Sequence, residues 1–100
     1  MTYKFNNVYI NNSYSLLSST KYSPIVKDLC DKCIDDYYLK CKSIELCESK
    51  YQELTIKGLL NKENILKKDI DLLISGDLQN QILASTLASS MFNFPMLGVY

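Results

Sequence analysis

Four cysteines fall within eighteen residues, Cys30, Cys33, Cys41 and Cys47, in the pattern C-x2-C-x7-C-x5-C. Zinc would require four such thiolates to converge tetrahedrally. Here Cys30, Cys33 and Cys41 lie among apolar residues at helical spacing, and no turn residues form a knuckle around the Cys30-Asp31-Lys32-Cys33 step. Small buried thiols, with no metal and no cofactor, are therefore expected. The chain contains no histidine, so neither a Ser/His nor a Cys/His nucleophilic pair can be assembled within it. The paired acids Asp35-Asp36, and Asp69 with Asp71, have lysines nearby and read as solvated faces rather than catalytic dyads.

The stretch from Ile74 to Gln81, ISGDLQNQ, invites a more specific reading. An apolar run stops at Gly76-Asp77, and no charged side chain follows from Leu78 to Tyr100. If the run is a parallel strand, its C-terminal edge is where α/β proteins place ligands, and the amides opening the next helix could receive an anion. Asp77 would occupy those donors itself, as a helix cap. Asp77, Asn80 and Gln81 are thus candidate ligand or interface residues, with no catalytic and no metal-binding residue among them.

The elements that must position these residues follow from periodicity. Lys4–Ile10 carries enough β-branched and aromatic residues for a strand. Ser23-Pro24 resembles a helix start, and the apolar pairs from Ile25 to Cys41 predict an amphipathic helix behind it. A second stripe, Ile44, Cys47, Tyr51, Leu54 and Gly58-Leu59, predicts another helix that ends at the polar Asn61–Asn64. Asp71–Ser75 reads as a short buried strand and 78–92 as a helix with its stripe at Leu83, Leu87 and Met91. Asn93–Pro95 should stop that helix before a last strand, Met96–Tyr100. Strand, helix and strand form a βαβ unit within an α/β chain.

One hundred residues allow a single modest core. The 47% hydrophobic and 22% charged content fits a folded rather than a disordered chain. Eleven acidic residues balance eleven basic ones, all of them lysine, and without arginine there is no bidentate phosphate or base-edge contact. Nucleic acid is therefore not expected as a partner. The start, MTYKFNNVYI, lacks the features of a secretory signal, which favours a cytoplasmic protein with reduced thiols. The uncharged segment 78–100 is a poor membrane span, because it would take its Gln, Asn, Ser and Thr side chains and Pro95 into lipid.

The run KKDIDLLISGDLQNQ, followed at the right distance by FPMLGVY, resembles the N-terminal part of the stage V sporulation protein AD family. That family is thiolase-like, related in fold to condensing enzymes of the ketoacyl synthase III type. The likeness is good from Ile44 to Tyr100; Ser18-Ser19-Thr20-Lys21 stands where the family usually has a glycine-rich, charged segment. The resemblance implies one incomplete thiolase-like domain over residues 1–100, with the rest of its sheet and the reactive Cys position beyond Tyr100, so a fragment, truncated form or decayed paralogue is expected. It implies a binding protein rather than an acyltransferase, acting on dipicolinic acid (pyridine-2,6-dicarboxylate) with the other stage V sporulation A proteins. It further implies a place peripheral to the forespore inner membrane and a homodimer. The rival expectations are a ketoacyl synthase III-like acyltransferase and a small helical interaction module.

Overall fold

The computed structural model describes residues 2, 4–18, 24–34, 39–77 and 83–99. In chain order these form β1 (Leu16–Ser18), α1 (Pro24–Leu29), β2 (Lys32–Ile34), α2 (Ile44–Lys62), β3 (Leu73–Gly76), α3 (Leu83–Phe92) and β4 (Met96–Val99), with one 3-10 turn at Lys67–Asp69. β1 pairs in parallel with β2, and β3 in parallel with β4. The described residues form a mixed α/β structure with two small parallel sheets. No helix among the described residues is long and apolar enough to cross a membrane.

The β3–α3–β4 unit follows the expectation closely. Leu73 is in register with Met96, Ile74 with Leu97, Ser75 with Gly98 and Gly76 with Val99. The ladder extends one step further, as the Leu73 amide donates to the Pro95 carbonyl at 2.8 Å. Gly76 is required here: a Cβ at this position would lie 2.6 Å from the Val99 carbonyl oxygen. Asn93, at φ 58°, takes the left-handed conformation just past the last residue of α3.

Helix α2 is capped at both ends. Ser43 accepts from the Leu46 amide at 3.2 Å, satisfying one of the free N–H groups of the first turn. At the other end Asn64 adopts φ 53°, the Ile65 amide donates to the Leu60 carbonyl and the Asn64 amide to that of Asn61. This is a Schellman closure with asparagine in place of glycine.

Three sequence expectations are corrected. Lys4–Ile10 is not a strand: Asn7 sits at φ 58°, and Phe5, Val8, Tyr9 and Ile10 are all exposed. The helix from Pro24 does not run to Cys41 but ends at Leu29. The amides of Asp31 and Lys32 donate instead to the Ser15 carbonyl, which turns the chain into β2 beside β1. Ser23, at the expected helix start, lies outside the described residues, as do Tyr37 and Tyr38 within the expected Ile25–Cys41 helix.

The third correction concerns which faces are buried. The core comprises Cys47, Leu60, Ala84, Ala88 and Phe92, joined by Ser49, Glu53, Ser85 and Ser89. On α3 the small residues face α2, while Leu83 and Met91 of the expected stripe are exposed. Side chains this small let the two helices approach closely, and Phe92 fills the end of the contact, stacked on Phe94 at 5.2 Å. On α2, Ile44 of the expected stripe is exposed and Glu53 is buried. Its lysine partners come from the same helix, with Lys57 at 2.8 Å and Lys50 at 3.6 Å reaching out to solvent.

Candidate functional site

The step out of β3 places Asp77 at the C-terminal edge of the parallel strand pair, ahead of α3. Its Oδ2 accepts from the Ser85 amide at 2.8 Å and from the Ser85 hydroxyl at 2.7 Å. Ser85 is the third residue of α3, so its N–H is one of the first-turn donors that the helix cannot satisfy internally. Asp77 caps α3 as expected, from outside the helix. Its charge meets the positive end of the helix dipole and removes that end from anion binding. Asn80 and Gln81 lie outside the described residues.

Around this cap is a polar cluster that sequence reasoning did not find. Ser85, with no exposed surface, accepts from Gln52 Nε2 at 3.2 Å. The Ser75 hydroxyl lies 3.1 Å from both Gln52 Oε1 and Ser85 Oγ. The four side chains come from α2, β3, the step after it and α3, so the cluster ties the strand pair to both helices. Only Ser75 and Asp77 stood in the stretch singled out by sequence. Nothing in the one-dimensional pattern links Gln52 to Ser85, because the pairing is created by the close helix contact.

Next to the cluster, α2 and β3 border a cleft of about 330 Å³. Gln52 and Ser75 form its polar edge, Ile56 and Leu73 its apolar wall, and Glu48 adds a carboxylate. In this geometry Ser85 is no nucleophile. Its hydroxyl is enclosed and committed to Asp77, and a carboxylate alone is a weak base for an alcohol. The cluster positions the mouth of the cleft; the carboxylate of Glu48 makes that mouth a poor host for anions.

The cysteines do not converge. Cys47 is buried in the α2 core, and Cys30, Cys33 and Cys41 are partly exposed free thiols. Among the described residues no group of three or more His, Cys, Asp or Glu is arranged to hold a metal ion.

A parallel strand pair joined by a helix, with a capping acid at its C-terminal edge, defines a mixed α/β protein. The chain belongs to the stage V sporulation protein AD family, whose model matches residues 1–100. It is 28% identical over 93 residues to stage V sporulation protein AD of Bacillus subtilis (strain 168). That match covers 93% of this chain and 28% of the relative's length, so the chain spans little more than a quarter of that protein.

Proposed function

We infer that the chain acts as the N-terminal part of a thiolase-like binding protein in the uptake of dipicolinic acid into spores, not as a catalyst. The observation that carries the reading is the family match over residues 1–100, while at the β3–Asp77–α3 step the described side chains are committed to capping α3 rather than to catalysis. Family membership over the whole chain supports the sporulation role. In this reading Asp77 fixes the start of α3, Asn80 and Gln81 line the ligand or a subunit contact, and the remaining layers of the domain cover the open sheet. The working assembly is a homodimer peripheral to the forespore inner membrane, together with other stage V sporulation A proteins. The exposed Leu83 and Met91 on α3 suit the homodimer contact.

Equilibrium dialysis of the purified chain against dipicolinate tests the binding role. Saturable binding that weakens in an Asn80→Ala/Gln81→Ala double variant is expected. Absence of binding, or turnover of an acyl thioester that survives replacement of all four cysteines, would overturn the reading.

A further inference from the structure

The four cysteines do not meet, but two of them converge on one atom. The carbonyl oxygen of Lys27, in the last turn of α1, accepts from the Cys30 amide at 3.4 Å and from the Cys33 thiol at 3.7 Å. The Cys33 sulfur is therefore no farther from the Cys30 amide than those two bonds laid end to end. We propose that Cys30 and Cys33 form a redox pair, closing a disulfide across the turn between α1 and β2 by exchange with a small disulfide of the glutathione type.

The turn brings the pair together. α1 ends at Leu29, the chain bends at Cys30 and Asp31, and β2 starts at Lys32. A four-residue turn holds its ends within about 7 Å at Cα, which is the outer limit for a disulfide. The amides of Asp31 and Lys32 donate to the Ser15 carbonyl at 3.1 and 3.2 Å, so the two residues between the thiols are pinned to β1. Both thiols are partly exposed, which admits a small reagent. The other two cysteines are placed differently. Cys47 is buried, and the Cys41 thiol donates to the Leu39 carbonyl at 3.7 Å in a separate segment.

The exchange takes two steps and needs no further reactant. One cysteine thiolate attacks a sulfur of the small disulfide, forms a mixed disulfide and releases one thiolate. The second cysteine thiolate attacks the protein sulfur of that mixed disulfide, forms the Cys30–Cys33 bond and releases the other. Two protein thiols lose two electrons, the small disulfide gains them, and the two cysteine protons end on the released thiols. Closure consumes the S–H of Cys33, so the Lys27 carbonyl keeps only the Cys30 amide. The bridge also spans Asp31, which accepts from the Ser15 amide and pairs with Lys62. Oxidation thus fixes the turn that presents the acceptor of this polar contact, as redox-sensing rather than structural disulfides do.

The inference is independent of the dipicolinate reading and is tested on the full chain without ligand. The chain is equilibrated with glutathione at graded ratios of oxidised to reduced form, remaining thiols are alkylated, and tryptic peptides are weighed. Trypsin cuts between the two cysteines at Lys32, so the bridge leaves joined two peptides that otherwise separate. A Cys30–Cys33 link, lighter by two hydrogen atoms, is expected as the main oxidised species, with Cys41 and Cys47 alkylated. Its equilibrium constant should be at least about tenfold greater in buffer than in urea, because the fold raises the effective concentration of one thiol near the other. In Cys30→Ser the link is lost and Cys33 carries glutathione, whereas Cys41→Ser should leave closure within about twofold. Hydrogen exchange gives a second readout: closure should slow the amides of Asp31 and Lys32 at least about threefold, by narrowing the states open to the turn. Links that join the cysteines at random, links chiefly between chains, or closure no stronger in buffer than in urea would overturn the pair. Faster exchange at Asp31 and Lys32 in the oxidised chain overturns it too, because the bridge would then strain the turn instead of fitting it.

Discussion

Among the described residues the strand–helix–strand plan occurs twice, and the two copies are held together by different forces. In β3–α3–β4 a ten-residue helix buries Ala84, Ser85, Ala88, Ser89 and Phe92. In β1–α1–β2 the helix has six residues, and Ile25, Val26 and Leu29 are exposed. The first copy is instead fastened by polar contacts. Asp31 accepts from the Ser15 amide at 2.7 Å and pairs with Lys62, Lys62 reaches the Ser13 carbonyl, and Asn12 donates to Glu63. One unit is packed and the other is clamped. Burial of apolar surface resists pH and salt, whereas exposed charge pairs are weakened by both.

The largest effect should come from the packed unit. Phe92→Ala removes the side chain that closes the α2–α3 contact and its stack on Phe94. A loss of about 3–5 kcal/mol is expected, most of what a chain this size can hold. Urea denaturation followed by helical signal measures it; a change below about 1 kcal/mol would mean that the helix contact is not the core. Ala88→Leu approaches the same contact from the other direction. Ala88 has no exposed surface, and inserting a larger side chain between closely packed helices should cost about 1–3 kcal/mol.

Smaller, and more local, is the effect expected at the cap. Asp77→Ala leaves the Ser85 amide and hydroxyl without their acceptor and should destabilise by about 1–2 kcal/mol. Asp77→Asn keeps an acceptor and should cost less. Hydrogen exchange sharpens the contrast: amides in the first turn of α3 should lose protection while those linking Ser15 to Asp31 and Lys32 keep theirs. Equal loss in both places would show that the two units open together.

The same contrast explains what could be read from the sequence. β3, β4, α2 and α3 were legible because short apolar runs, capping residues and turn asparagines act within a few positions of each other. Asp77 as a cap was legible for the same reason. The N-terminal unit was not, since its helix stops where Asp31 finds Ser15, sixteen residues away, and no local rule carries that contact. The orientation of α3 was also hidden: an apolar count points Leu83, Leu87 and Met91 inward, whereas close approach to α2 selects alanine and serine. Gln52, Ser75 and Ser85 meet only because of that approach, and residues this polar give no signal of burial in one dimension. The family resemblance rested on the better-packed half, where local signals and tertiary contacts agree.

The mildest perturbation, acidification, should separate the two units. Asp31 titrates below its ordinary value, chiefly because Lys62 donates to it and then because the Ser15 amide does. Glu53 is lowered mainly by its bond from Lys57, against an opposing push from burial. A carboxyl group whose pKa is lower folded than unfolded contributes stability that is present above the unfolded value and disappears as pH falls through the folded one. The clamp should therefore be intact at neutral pH and weaken below the ordinary carboxylate range, about pH 4. As pH is lowered, the amides of Ser15, Asp31 and Lys32 should lose hydrogen-exchange protection before those of β3 and β4, after correction for the intrinsic exchange rate. Asp31→Asn should remove most of that pH dependence from the N-terminal unit, because its carboxylate is the shared acceptor for Ser15 and Lys62. An unchanged profile in that variant would place the acid sensitivity in Glu53, and the packed half would then be the pH-dependent one.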